Sequence, residues 1–106
     1  MSDYYPDNWV VLKIQQENET LYKVLAGWSG GYLDGDSWRM NSGIVDVEED
    51  EDFWKFYGSS GSVYKCPRES YRLSMATSSV YNKLEKHFSH IVELMPEDTN
   101  WREVKW

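Results

Sequence analysis

The sequence feature that most constrains the fold is a stretch rich in glycine and tryptophan at residues 25–44. It holds five of the chain's seven glycines and two of its six tryptophans. Glycine allows backbone conformations that other residues avoid, and tryptophan supplies a large area for burial or contact. Large aromatic side chains among glycines indicate an ordered turn between two strands rather than a flexible linker. The sequence leaves open whether this turn serves the core or a binding partner.

Alternating apolar and polar residues on both sides of this stretch predict an antiparallel sheet. Five strands are predicted, at residues 9–15, 21–28, 37–47, 53–57 and 63–66, with a short extended piece at 71–74. In the first strand, Val10, Leu12 and Ile14 form the face that is expected to contact the core. Gly43 lies inside the third strand, where a glycine indicates a β-bulge.

A helix is predicted near the C-terminal end, because apolar residues recur there at steps of three and four. These positions are Val80 or Tyr81, Leu84, Phe88, Ile91 and Met95. Residues 77–79 offer hydroxyl N-caps, and Pro96 ends the pattern. The tail that follows contains Trp101 and Trp106 among charged residues, so it either docks on the domain or stays mobile.

These patterns predict an α+β fold, with an antiparallel meander of four to five strands and one C-terminal amphipathic helix packed on one face. A chain of 106 residues has room for one core, so a single domain over residues 1–106 is expected. The predicted parts are a short arm at 1–8, the sheet at 9–74, the helix at 77–95 and the tail at 96–106.

The charge balance narrows the classes of partner. The chain has 18 acidic and 11 basic side chains, for a net charge of −7. Direct binding to nucleic acids or anionic membranes needs a basic footprint, so both are disfavoured. Six carboxylates are concentrated in residues 46–52, which form either a solvated turn or an acidic surface for a basic protein.

The single cysteine and the N-terminal residues bear on the cellular compartment. Cys66 has no second cysteine with which to form a disulfide, which fits a reducing compartment. The first residues are polar and acidic, unlike a signal peptide, and no apolar run approaches membrane-spanning length. A cytoplasmic protein is therefore expected.

The acidic run and the glycine- and tryptophan-rich stretch together predict a protein-binding surface. Carboxylates would steer a basic partner, and the rings and an arginine would serve as buried anchors. The predicted partner-binding residues are Trp28, Tyr32, Trp38, Arg39, Asp46, Glu48, Glu49, Asp50, Glu51 and Asp52.

The alternative is a small-ligand site at the Gly/Ser-rich turn of residues 58–62. Backbone N–H groups of such a turn can hold a phosphate, and neighbouring rings can stack on a base. The turn lacks the ending of a P-loop, so a simple hairpin turn competes with this hypothesis. The predicted ligand-binding residues are Arg39, Tyr57, Ser59, Ser60, Ser62, Tyr64 and Arg72.

No motif in the chain indicates catalysis, a cofactor or a metal. A nucleophile elbow, a His-Glu-x-x-His motif and a Cys-x-x-Cys motif are all missing. His87, His90 and Glu93 have ligand-like spacing on the predicted helix, but Cys66 is the only other soft ligand candidate. Asp34 and Asp36 resemble the opening of a calcium loop whose later ligands are absent. A non-enzymatic protein without a cofactor is expected.

The segments Trp9-Val-Val-Leu-Lys13, Lys23 to Ile44 and Gly58-Ser-Ser-Gly-Ser-Val-Tyr64 resemble small uncharacterised proteins encoded in tailed-phage genomes. The resemblance covers about residues 9–66. It implies an accessory protein inside a bacterium that binds and inhibits a host protein, such as a defence or nucleic-acid-handling factor. It is also compatible with binding of a signalling nucleotide. A third alternative is a small oligomeric structural component, in which exposed tryptophans make subunit contacts.

Overall fold

The computed structural model describes residues 3–31, 35–88 and 91–106 of the chain, which contain eight strands and one helix. In chain order these elements are β1 (Asp3–Tyr4), β2 (Asn8–Gln16), β3 (Glu19–Gly31), β4 (Gly35–Met40), β5 (Ile44–Glu49), β6 (Phe53–Gly58), β7 (Val63–Pro67), α1 (Met75–Phe88) and β8 (Val92–Leu94). The predicted α+β class and the helix in the C-terminal part are confirmed. Strands account for most of the regular structure.

The strands form two four-stranded sheets, so the prediction of one meander was wrong. The central sheet has the strand order β4-β3-β2-β8 and is antiparallel. The outer sheet has the order β1-β7-β6-β5 and is mixed, because β1 pairs with β7 in parallel. The N-terminal segment, predicted to be a simple arm, therefore contributes a strand.

The division into two sheets occurs inside the predicted third strand. β4 belongs to the central sheet and β5 to the outer sheet, and residues 41–43 connect them. Gly43 has a φ of 140°, which side-chain-bearing residues rarely adopt, so the chain can turn there. The bulge lies just beyond this glycine, where the β5–β6 register shifts between Ile44 and Asp46.

The central sheet is covered on both faces. Its Trp9, Val11, Val24 and Ala26 side chains belong to one core cluster with the outer sheet and the tail. Val10, Leu12 and Leu25 belong to a second cluster with residues of α1 and β8. The layers are thus helix, central sheet and outer sheet. The first strand buries both of its faces rather than the single face predicted.

The helix is shorter than the 77–95 prediction. It begins at Met75 and ends at Phe88, and β8 pairs with β2 through Leu12 opposite Leu94. Ser74 caps the helix, since its hydroxyl accepts the Thr77 N–H while the Thr77 hydroxyl accepts the Ser74 N–H. Within the described ranges, no helix is long and apolar enough to cross a membrane.

The C-terminal tail docks on the domain. Trp101 is 2% exposed and contacts the rings of Trp9, Phe56 and Tyr71 at centroid distances of 5.7 to 5.9 Å. Trp106 packs edge-on against Tyr22 at 5.1 Å. The tail is thus part of the core between the two sheets, which settles the choice that the sequence left open.

Candidate functional site

The six clustered carboxylates lie on one exposed border of the outer sheet, named here the acidic edge (residues 46–52). In the described part of the chain, β5 pairs with β6 alone and is the last strand of its sheet. All six carboxylate-bearing residues of the acidic edge are exposed. The predicted acidic surface therefore coincides with a free strand edge and the turn that follows it.

Asp50 builds the turn between β5 and β6. Its Oδ1 accepts hydrogen bonds from the backbone N–H groups of Asp52 at 2.9 Å and Phe53 at 3.1 Å. These two bonds, with the nearby Lys55 ammonium, lower the pKa of the Asp50 carboxyl. The carboxylate thus stays charged while it holds the turn in one conformation.

Two arginines from distant parts of the chain hold the base of the turn. Arg68 donates to Glu49 Oε2 at 2.6 Å and to the Asp50 carbonyl from Nε at 2.9 Å and Nη2 at 2.7 Å. Its guanidinium also lies 4.7 Å from the centre of the Trp54 ring. Arg102 donates to Glu49 Oε1 at 3.2 Å. The hydrogen bond from Arg68, followed by the charges of both arginines, lowers the pKa of Glu49.

The other carboxylates of the acidic edge differ in their partners. Glu48 accepts a hydrogen bond from the Tyr57 hydroxyl, which raises the pKa of Tyr57. Asp46 accepts the backbone N–H of Val47 at 2.9 Å. Among the described residues, no side-chain hydrogen bond or ion pair involves Glu51 or Asp52. These two charges therefore remain available to a partner.

The local charge is smaller than the sequence alone suggests. Lys55 lies 3.7 Å from Asp50, and Arg68 and Arg102 pair with Glu49. Six carboxylates and three cations leave a net charge of −3 on this surface. Of the four carboxylates that have no described cation as a partner, Glu51 and Asp52 lie at the tip of the turn, and Asp46 and Glu48 lie on β5.

A cleft of about 270 Å³ lies beside this tip. Its lining residues are Glu51, Asp52, Pro67, Arg68, Glu69 and Ser70. The Arg68 guanidinium is already bonded to Glu49 and to the Asp50 carbonyl. The carboxylates of Glu51, Asp52 and Glu69 therefore make the cleft negatively charged. Such a cleft suits the ammonium or guanidinium of an incoming side chain. Glu69 and Arg102 were not predicted as site residues, and Arg68 was not predicted to contact the acidic edge, since no local pattern links these residues to it.

The predicted ring anchors lie elsewhere. Trp28 donates its Nε1–H to the Tyr5 carbonyl at 2.9 Å, and Arg39 lies over the Tyr4 ring at 4.6 Å. Both therefore make contacts within the protein. Trp38 is 49% exposed and lines a groove against α1, on the helix side of the central sheet. Tyr32 lies outside the described residues.

The residues of the predicted ligand site do not all share one open surface at the 58–62 turn. Tyr64 is 2% exposed, and burial raises its pKa to about 12. The Ser59 hydroxyl and the Ser60 N–H each bond the Ser42 hydroxyl at 3.0 Å. The N–H groups of Gly58 and Ser59 donate to backbone carbonyls. Arg72 lines a different cleft, with Leu94 and Pro96.

The other side chains that the sequence analysis considered for chemistry are the cysteine and the histidines. In the described ranges no group of three or more His, Cys, Asp or Glu side chains could hold a metal ion. Cys66 is buried, and burial raises the pKa of its thiol well above the ordinary value, which disfavours the nucleophilic thiolate. Of the two histidines, His87 is exposed and His90 lies outside the described residues.

The Arg68 contacts predict a measurable change in proton binding. In the Arg68→Gln variant, the pKa of Glu49 should rise towards its ordinary value of 4.5, because the strongest charged hydrogen bond is lost. Carboxyl-carbon NMR over a pH series measures this directly. The lowered pKa means that the Glu49 contribution to stability is present above pH 4.5 and is lost as the pH falls through the folded-state pKa.

A matched control is Arg72→Gln, which removes the same charge from an arginine outside the acidic edge. It should leave the Glu49 titration unchanged. An unchanged Glu49 pKa in Arg68→Gln would show that Arg68 does not hold the turn.

The chain was also compared with known proteins. No protein-family model, no curated protein and no solved structure matches it. The proposals below therefore depend on the chemistry of its own surface.

Proposed function

We propose that this chain is a non-enzymatic binding protein that recognises a basic surface of a partner protein and inhibits that partner by covering the surface. The observation that carries this proposal is a pair of carboxylates, Glu51 and Asp52, whose side chains have no partner among the described residues and lie beside the cleft that Glu69 completes. A lysine or arginine side chain of the partner would enter this cleft and replace water around three carboxylates.

The rigidity of the turn supports this proposal. Asp50 and Arg68 already fix the backbone that carries Glu51 and Asp52, through four hydrogen bonds from or to the turn. A preorganised surface loses little conformational entropy on binding, so more of the contact energy remains as affinity.

The geometry of β5 favours side-chain recognition over addition of a partner strand. An incoming strand needs free N–H and C=O groups along the edge. Asp46 accepts the Val47 N–H, so this edge group is already occupied by the chain's own side chain. The partner is therefore expected to present basic side chains to the acidic edge rather than a backbone strand.

The wider charge distribution supports the same class of partner. The net charge of −7 attracts a basic protein from a distance and repels nucleic acids, so it speeds the encounter with the proposed partner. We propose that this partner is a protein of a bacterial host, as the resemblance to tailed-phage proteins implies. Inhibition would follow wherever the covered basic surface is the one that the host protein uses.

The test uses the tagged protein to capture its partner from bacterial lysate. It compares two double variants that change the charge by the same amount at different places on the surface. Glu51→Lys with Asp52→Lys reverses the tip of the turn, and Glu17→Lys with Glu19→Lys reverses two exposed carboxylates of the β2–β3 hairpin. The first pair should weaken capture of the partner at least tenfold, which corresponds to about 1.4 kcal/mol. The control pair should retain capture, and added salt should weaken it in both the wild type and the control.

Equal loss in both double variants would show that only overall charge matters and would contradict a specific site at the tip. Thermal unfolding shows whether the variants are folded. Their stability should be close to that of the wild type, since the side chains of Glu51 and Asp52 make no hydrogen bond or ion pair with the described residues.

A further inference from the structure

The central sheet has a free edge at β4. In the described part of the chain, β4 pairs with β3 alone. It is six residues long, whereas the edge strands β1 and β8 have two and three residues. A free edge of this length presents backbone N–H and C=O groups with which an incoming strand can pair. Most native proteins cover or interrupt such edges, so the open edge of β4 is a candidate docking site for an extended segment.

The register of β3 and β4 shows which backbone groups point outward. The Asn41 N–H donates to the Val24 carbonyl at 3.1 Å, and these two residues lie opposite each other when the register is continued. Hydrogen-bonded and non-hydrogen-bonded pairs alternate along an antiparallel ladder. Arg39 therefore bonds to β3, while the N–H and C=O groups of Trp38 and Met40 point away from it. Among the described residues, no backbone group beyond β3 bonds to these outward groups.

A groove of about 440 Å³ lies beside this edge, on the helix side of the central sheet, and is named here the Trp38 groove. Trp38, which is 49% exposed, forms its wall on β4, and α1 forms the other wall. The helix residues that line it are Ala76, Ser79, Val80, Lys83 and Leu84. They cover about 12 Å of the helix, which corresponds to about four residues of an extended peptide.

The side chains of the Trp38 groove define the chemistry of its occupant. Trp38, Val80 and Leu84 provide apolar contact area. Lys83 is exposed, and among the described residues it forms no ion pair with a carboxylate. Alternate side chains of an added strand point to the same face, so two of about four residues would enter the groove. The occupant is therefore expected to carry two apolar side chains at alternate positions and a carboxylate that reaches Lys83.

We propose that an extended segment of a partner protein adds to β4 as a fifth strand of the central sheet. Its backbone would bond to the outward N–H and C=O groups of Trp38 and Met40, and its two apolar side chains would fill the Trp38 groove. The main-chain hydrogen bonds supply affinity, and the groove selects the sequence of the segment. The proposal is independent of the acidic edge, which belongs to the outer sheet.

The charges favour a foreign segment over a second copy of this chain. A net charge of −7 on each copy opposes self-association. The side chains of β4 at residues 37–40 also include no carboxylate that could pair with Lys83 of another copy. A segment with a single carboxylate satisfies Lys83 and adds little to the overall repulsion.

The test begins with a library of random nine-residue peptides, displayed on filamentous phage and selected on the immobilised full chain. Enriched peptides should have apolar residues at alternate positions and an acidic residue. The tightest of them, made synthetically, should shift the backbone amide NMR signals of residues 37–40 and 76–84. Trp38→Ala and Lys83→Glu should each weaken its binding about tenfold, as measured by fluorescence polarisation.

Methylation of the peptide nitrogens distinguishes strand pairing from simple apolar contact. Only one of the two alternating sets of peptide N–H groups faces β4 in the proposed complex. Methylation of that set should weaken binding more than about tenfold, since it removes the main-chain hydrogen bonds. Methylation of the other set should leave binding nearly unchanged.

The matched controls are Lys86→Glu and Phe88→Ala, which change an exposed lysine and an exposed ring of α1 outside the Trp38 groove. Both should retain peptide binding. Glu51→Lys with Asp52→Lys should retain it as well, so a failure at this groove is distinguishable from a failure at the acidic edge. Amide spectra of the free variants show whether each one is folded.

Several results would overturn the proposal. These are the absence of any enriched peptide, amide shifts that map away from β4 and α1, and equal binding of the two methylated peptides. Analytical ultracentrifugation provides a further check. A dimer of the free chain that Trp38→Ala dissociates would show that a second copy, rather than a partner segment, occupies this edge.

Discussion

The Gly27→Ala variant should lose about 3 kcal/mol of unfolding free energy, more than most single substitutions cost. A Cβ at this position would lie 2.4 Å from Asn8 Oδ1, 2.9 Å from Ser74 Oγ and 3.0 Å from Thr77 Cγ2. Asn8 and Thr77 are almost fully buried, and Ser74 and Thr77 cap the helix. The Asn8, Ser74 and Thr77 side chains must therefore shift to make room, which disturbs the cap of α1 and its packing on the central sheet. Chemical denaturation followed by circular dichroism measures the loss.

Two further variants distinguish the cost of a steric clash at Gly27 from the cost of placing alanine in a strained backbone conformation. Gly61 has a φ of 95° but no atom near its missing Cβ, so Gly61→Ala should cost only about 1 kcal/mol. The double variant Asn8→Ala with Gly27→Ala removes the closest contact and should cost less than the sum of the two single changes. Equal losses in Gly27→Ala and Gly61→Ala would contradict tight packing of the helix on β3.

The Trp101→Ala variant should lose about 3 to 5 kcal/mol, the usual cost of emptying a large buried aromatic position. Its ring lies 5.8 Å from that of Trp9 and 5.9 Å from that of Phe56, between the central sheet and the outer sheet. The cavity left behind cannot collapse fully, because strands of both sheets border it. Denaturant unfolding, monitored by circular dichroism, measures the difference from the wild type.

Trp38→Ala is the matched control, since it removes the same side chain from a position that is 49% exposed. It should cost about 1 kcal/mol or less. If Trp101→Ala proved no more destabilising than Trp38→Ala, the tail would not belong to the core.

Local sequence signals were sufficient for most of the elements. The β2–β3 hairpin follows from two β-branched runs separated by a polar turn, and β6 and β7 follow from the same kind of pattern. The helix start followed from hydroxyl residues before an apolar stripe, although Ser74, three residues before Thr77, is the cap. These features depend on neighbours in the chain, which is why the sequence reveals them.

The arrangement of the elements depends on non-local contacts, which the sequence pattern does not encode. Apolar and polar residues alternate in the same way along β4 and β5 whether the two segments form one strand or belong to two sheets. Gly43 is compatible with either arrangement. Ile91 and Met95 continue the helical spacing, but the segment between them completes the central sheet as β8. Two tryptophans among charges did not indicate whether the tail docks.

The candidate site was predictable only in part. Six carboxylates in seven residues predicted an exposed acidic turn, and residues 46–52 are such a turn with its preceding edge strand. Arg68 and Arg102 lie 18 to 53 positions away from the turn in the sequence. The local sequence therefore did not predict that their positive charges offset the negative charge of Glu49. Glu69, which completes the cleft, was missed for the same reason.

Zero-length carbodiimide cross-linking tests the proposed partner contact most directly. The reagent activates a carboxylate, which then forms an amide with a lysine in contact and releases the reagent as its urea. After capture from bacterial lysate, mass spectrometry should locate links from partner lysines at Glu51, Asp52 or Glu69, and Glu51→Lys with Asp52→Lys should abolish them. Links found only at other carboxylates, such as Glu17, Glu19 or Glu85, would contradict recognition through the acidic edge.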